Sequence, residues 1–208
     1  MTSLASMLVP PVRPDRDTTR AAIVAAAREL TVTDGWTQVR LAGVAELVGV
    51  SRQTVYNEFG GRAGLASALA DAEIELFTAG LRAALFAHGS HVRAAVTAAV
   101  RFALDEAAAN PLVRVILTGS RGGADPLLPY LTTRSDVVLA AAAVPLLEWA
   151  GAHLPAVEPA ALAFAVDTVI RLAVSHIVLP QWPAGHTADA LAGLVALLLH
   201  ATRRHAPR

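Results

Sequence analysis

Residues 41–62 read LAGVAELVGVSRQTVYNEFGGR, and this stretch decides the fold. An apolar helical pattern runs from Leu41 to Val48 and stops at Gly49, and a second starts at Ser51 and runs to about Phe59. Ala45 sits four residues before that glycine, where two steeply crossing helices leave room only for a methyl group. Val44, Val48, Val50 and Val55 can face one another, so the two helices share a small core. This is the helix-turn-helix pattern, whose second helix is offered to the major groove of DNA. A glycine between helices is common. The spacing of alanine, glycine and valines, followed by TVYNEF, is much rarer.

Upstream, helical signals start near Asp17 or Thr18, Ile23, Ala26, Ala27 and Leu30 share one face, and Gly35 is a natural C-cap. Downstream, Gly60-Gly61 breaks the chain before a long periodic stretch with Leu65, Leu69, Ala72, Leu76 and Gly80 on one stripe. Five further helices are expected at about 91–109, 111–119, 126–153, 158–179 and 187–204, with Pro145 kinking or dividing the third. Abundant alanine, few aromatics and no run of alternating β-branched residues give an all-α fold. Residues 1–16, with three prolines and no periodicity, are expected to form a flexible N-terminal arm. Residues 17–62 would then be a three-helix head, and 63–208 a larger helical body.

The 208 residues are 54% hydrophobic and 16% charged, enough for a sizeable core, and carry no net charge. Residues 1–65 hold seven arginines against six acids, and the remainder ten against eleven. Non-specific affinity for nucleic acid should therefore be modest and rest on a few well-placed arginines. Cysteine is absent, in keeping with a reducing compartment. The N-terminus lacks a basic leader, and the longest apolar runs, at 137–147 and 190–199, fall short of the roughly 18–20 residues that span a bilayer. A cytoplasmic protein without a membrane partner is expected. No HExxH, GxSxG or glycine-rich phosphate loop is present, and neither His88 with His91 nor His200 with His205 has metal spacing. The sequence therefore predicts no enzyme, catalytic residue, metal or cofactor.

A long first helix ending at Gly35, then VAELVGVS, then TVYNEF, then a basic residue opening a long helix with Leu65, resembles the tetracycline-repressor (TetR) family of bacterial transcription regulators. The match covers roughly Thr18 to Leu69, about a quarter of the chain. The resemblance implies a ligand-responsive homodimer bound to a palindromic operator in double-stranded DNA, usually as a repressor. Ser51 is a good N-cap, able to accept the orphan amide of Thr54. Arg52 and Gln53 lie in the first turn of the recognition helix, where Arg can bond guanine O6 and N7 and Gln adenine N6 and N7. Thr54 and Tyr56 match family positions that meet phosphate or the groove wall, and Asn57 is a further contact. Arg40 and Arg62 suit phosphate contacts that fix register, and Arg13, Arg16 and Arg20 are candidates for the minor groove. Two departures stand out: Ala42 and Gly43 replace a stretch often polar or basic in the family, and Gly60-Gly61 replaces a proline-containing link.

In the body, Ala188, Ala192, Gly193 and Ala196 form a small-residue stripe beside Leu191, Leu194, Leu197 and Leu198. Segments 158–179 and 187–204 are therefore the expected dimer surface, with Ala188, Leu191, Ala192 and Ala196 at the contact. Phe102, Leu117, Leu128, Trp149, Phe164 and Ile170 are the apolar candidates for an effector pocket, and Asp167, Arg171 and His176 the polar ones. The expected effector is small and largely apolar. The alternative reading is a helical dimeric interaction protein of the same fold with weak or lost DNA binding.

Overall fold

A computed structural model describes residues 15–113 and 135–204, and among these residues every regular element is helical. Helix α1 (Arg16–Asp34) starts two residues earlier than the sequence suggests. Asp15 caps it, its carboxylate accepting from the Arg16 amide at 2.7 Å. It ends at Gly35, whose φ of 80° a side chain would resist. A single 3-10 turn at Trp36–Gln38 follows, seating the buried Trp36 and Val39 beneath the head.

Helix α2 (Leu41–Val48) closes with Gly49 in the left-handed conformation. The amide of Val50 donates to the Ala45 carbonyl at 3.0 Å, and that of Gly49 to Glu46 at 3.2 Å. This doubled bond pattern fixes the turn between the helices. Helix α3 (Arg52–Phe59) is capped as expected, with the Thr54 amide donating to Ser51 Oγ at 3.0 Å. Helix α4 (Arg62–Phe86) then leaves the head. Its Gly64 lies so close to the Phe59 carbonyl that a methyl there would collide with it.

The body comprises α5 (Val92–Ala109), α6 (Ser135–His153), α7 (Pro159–Val178) and α8 (Ala184–Arg204). Helix α8 lies along α5, which in turn packs on α4, while α6 covers α4 and α7. Pro145 does not divide helix α6, which runs through it, and that proline is fully buried. Glu158 caps α7 by accepting from the Ala161 amide at 3.0 Å, with Pro159 in the first helical position. Helix α7 is long and apolar enough to cross a bilayer by length and composition, which a search for uninterrupted apolar runs misses because Asp167 and Arg171 divide it. Its Ala165, Val166, Val169, Ala173 and Ile177 are buried in the body core.

Two apolar clusters hold the chain together. One joins Ile23, Ala27, Trp36, Val44, Ala45, Val55 and Phe59 to Leu65 and Leu69 of α4. The other gathers Phe77, Leu81 and Leu85 of α4 with the inner faces of α5 to α8. Helix α4 thus belongs to both. Its buried stripe repeats every four residues through Leu65, Leu69, Glu73, Phe77, Leu81 and Leu85. The sequence stripe drawn through Ala72 and Leu76 drifts off this face, and Leu76 is 63% exposed.

Candidate nucleic-acid interface and body cavity

Helix α3 turns Val55 and Phe59 into the head core and leaves Arg52, Gln53, Tyr56 and Asn57 exposed on its outer face. Ser51 and Thr54 are engaged with each other: their hydroxyls lie 2.8 Å apart, in addition to the cap bond. Gln53 Nε2 donates to Asn57 Oδ1 at 2.8 Å, one turn later, so the two amides act as a braced pair. That pairing leaves the Gln53 oxygen and the Asn57 nitrogen directed outward, one acceptor beside one donor.

The arginines of the head divide into two groups. Arg16 Nε donates to Glu58 Oε1 at 2.8 Å, and Arg20 donates to the Glu58 carbonyl at 3.2 Å while its guanidinium lies 4.5 Å above the Phe59 ring. The hydrogen bond that Arg16 donates to Glu58, and then the charge of Glu58, raise the Arg16 pKa above the ordinary arginine value. These two side chains brace α1 against the end of α3; Arg13 lies outside the described residues. Arg62 also faces inward, donating to the Trp36 carbonyl with its guanidinium 5.0 Å over the Trp36 ring. Its expected phosphate contact gives way to a lock between α4 and the 3-10 turn. Arg40, at the N-cap of α2, and Arg52, opening α3, are exposed and make no ion pair among the described residues.

The body holds two adjoining, partly open voids that share Leu146 and Val169. The first, about 50 Å³, is walled by Phe77, Leu81, Val100, Leu146, Ile170 and Ile177, among others. The second, about 30 Å³, reaches Leu85, Val96, Trp149, Leu162 and Val195. Among the described residues, every lining side chain is apolar except the indole of Trp149, whose Nε1 is committed to the Gly89 carbonyl at 3.0 Å. Ile170 and Trp149 lie at the walls of these voids. Phe102 is one layer removed, packed on Phe77 with ring centroids 5.6 Å apart and seated in the notch left by Gly80.

Phe164, 63% exposed, points to solvent, and Asp167 and Arg171 pair with each other at 2.8 Å on the same outer face. None of the three reaches the cavity. The i, i+4 spacing that made the pair look like a site is satisfied by its own ion pair. His176 lines a separate recess of about 130 Å³ beside Trp182, whose ring stacks in turn on His186. Leu117 and Leu128 lie outside the described residues. Ala188, Leu191 and Ala192 are buried inside the protomer on the face of α8 that meets the body core, so they cannot form a contact between subunits; Ala196 is half-buried. Ala188 and Ala192 of the small-residue stripe serve the packing of α8 on the core within one chain. Exposed apolar side chains on α7 and α8 include Phe164, Val178, Leu194 and Leu197, with Leu179 just past the end of α7.

Sequence reasoning missed Glu73, Asn110 and Arg28, in which the buried Glu73 and Asn110 join the half-exposed Arg28 in one polar cluster. A glutamate four residues after Leu69, on the apolar stripe, was the available signal.

Comparison with known proteins agrees with this architecture. The family model for bacterial regulatory proteins of the tetR family matches residues 23–69, and that for the bacterial tetracyclin repressor C-terminal domain matches 91–196. The HTH-type transcriptional regulator AlkX of Mycobacterium tuberculosis is 32% identical over 206 residues, covering 95% of this chain and 91% of that protein. Among solved structures, the TetR family repressor AlkX from a Dietzia species, implicated in biodegradation of n-alkanes, is 27% identical with a TM-score of 0.67, covering 87% of this chain and 97% of that one. The fatty acid degradation regulator FadR from Bacillus halodurans shares the fold at 15% identity, a TM-score of 0.55, and 89% and 96% coverage. This chain belongs to the TetR family. It is a ligand-responsive DNA-binding transcriptional regulator, and not an enzyme.

Proposed function

We propose that the protein works in the cytoplasm as a homodimeric repressor of a palindromic operator, released by a small, largely apolar effector. Residues 17–62 form the DNA-binding unit in this reading, and 63–208 the effector-binding and dimerisation body. The observation that carries it is the outer face of α3, where Arg52, Gln53, Tyr56 and Asn57 stand exposed while the neighbouring Arg16, Arg20 and Arg62 are spent on internal contacts. Arg52 and the Gln53–Asn57 pair would read base edges, with Ser51, Thr54 and Tyr56 against the groove wall and Arg40 on phosphate.

The exposed apolar faces of α7 and α8, with Phe164, Val178, Leu194 and Leu197, are suited to burial across a two-fold axis, pairing four helices. Two heads must then sit roughly 34–36 Å apart to enter successive major grooves. The effector would occupy the apolar voids, whose unbroken hydrocarbon lining favours an alkyl-chain ligand, in keeping with the Dietzia relative's link to n-alkanes. At about 50 and 30 Å³ the voids must widen to admit it, and α4 forms part of their wall. Widening displaces the helix that carries the head. A hundredfold release needs about 2.7 kcal/mol of differential binding.

Selection of bound duplexes from a random pool tests this reading. A two-fold symmetric motif bound by two protomers is the expected result; no enriched motif, or a single-subunit complex, would contradict it.

A further inference from the structure

Glu73 is the one charged member of the buried stripe of α4, and it is 2% exposed. The stripe residues before it belong to the head core and those after it to the body core, so it stands at the seam between them. Its Oε1 accepts from Arg28 Nε of α1 at 2.5 Å, and its Oε2 accepts from Asn110 Nδ2 at 2.9 Å. Asn110, just beyond α5, is itself buried. Its Oδ1 accepts from the Leu112 amide at 3.0 Å and more loosely from Val113 at 3.4 Å.

The two residues that Asn110 orients go different ways: Leu112 enters the head core, and Val113 the body core. One carboxylate therefore ties α1, α4 and the elbow after α5 into a single joint. A leucine or methionine at position 73 would continue the stripe and serve stability as well, because burying a charge carries a desolvation penalty that its partners only offset. What the ion pair supplies that a hydrocarbon cannot is direction. Its hydrogen bonds hold for one placement of α1 relative to α4 and the elbow.

We infer that Glu73, with Arg28 and Asn110, is a positioning residue for operator binding: it fixes the angle of the head on the body. The inference rests on the dimeric DNA-binding reading above. The absence of cysteine makes it measurable, since Val32→Cys on α1, at a 47% exposed position, carries one spin label per protomer of the full-length dimer. Head-to-head distances by electron double resonance and affinity for the selected duplex are then compared across variants. Glu73→Gln keeps shape and helicity, and is expected to broaden the distance distribution and weaken duplex binding at least tenfold. Arg28→Met, at a half-exposed site, should do the same from the head side, and it carries the test if Glu73→Gln fails to fold. Val157→Ala, which thins the body core away from the joint, should lower thermal stability without broadening the distances.

Distances and affinities within twofold of the parent for both Glu73→Gln and Arg28→Met would overturn the joint while leaving the proposed function standing. A parent protein that selects no duplex, or gives no distance between heads, would instead overturn the proposed function, and the joint with it.

Discussion

The head and the body are both helical and both alanine-rich, yet they are specified by different physics. The head is built from short helices whose ends are written locally: Asp15 and Ser51 as N-caps, Gly35, Gly49 and Gly60 at positive φ. Its polar outer face is left unpaired where α3 emerges. The body is built from helices of 18 to 21 residues, joined by the longer α4, whose ends matter less than their mutual register. It leaves large apolar side chains exposed, among them Leu76, Phe86, Phe164, Val178 and Leu197. In the proposed reading, the head is shaped to meet a charged, hydrogen-bonding partner, and the body to meet hydrocarbon, whether a second copy or an effector.

The sharpest way to break that contrast is to give the body a polar face. Leu197→Asp removes apolar area at a 70% exposed position and places a carboxylate in each half of the proposed symmetric interface. Losing about 1.5–3 kcal/mol of burial per copy should convert dimer to monomer at micromolar concentration, with helicity retained, as read by sedimentation equilibrium and circular dichroism. Unchanged association would move the interface elsewhere.

At the seam, Gly64→Ala drives a methyl against the Phe59 carbonyl. Relief requires moving α4 away from α3, so a loss at or beyond the upper end of ~1–3 kcal/mol is expected in thermal unfolding. By contrast, Gly193→Ala, where a methyl meets nothing within 4 Å, should not destabilise the fold, and would gain up to ~1 kcal/mol from helix propensity. Within the head, Ser51→Ala should cost about 1 kcal/mol by leaving the Thr54 amide without its cap, measured as a lowered denaturation midpoint.

The same contrast explains what could be read from the sequence. The helix-turn-helix was legible because caps, glycines and valines within a dozen residues determine it. The N-cap at Ser51 and the inward Val55 followed from spacing alone. The fates of Arg16, Arg20 and Arg62 were not legible, because their partners Glu58 and Trp36 are remote in sequence and brought near only by folding. In the body, apolar runs identified helices but not which face each buries. Ala188, Leu191 and Ala192 looked like an intersubunit stripe and instead meet the core, while Phe164 looked like a pocket wall and faces outward. An alanine-rich helix offers small residues on most faces, so periodicity selects none of them strongly. Tertiary packing decides.

The central claim is that the side chains opening α3 read base edges in a symmetric site. Affinities of the parent and of Arg52→Ala should therefore be measured on the selected duplex with every half-site base pair substituted in turn. The account predicts that Arg52→Ala loses ~1–3 kcal/mol of discrimination at one position, mirrored in the other half-site, and keeps its preferences elsewhere. A variant that binds more weakly but discriminates at every position as the parent does would contradict it.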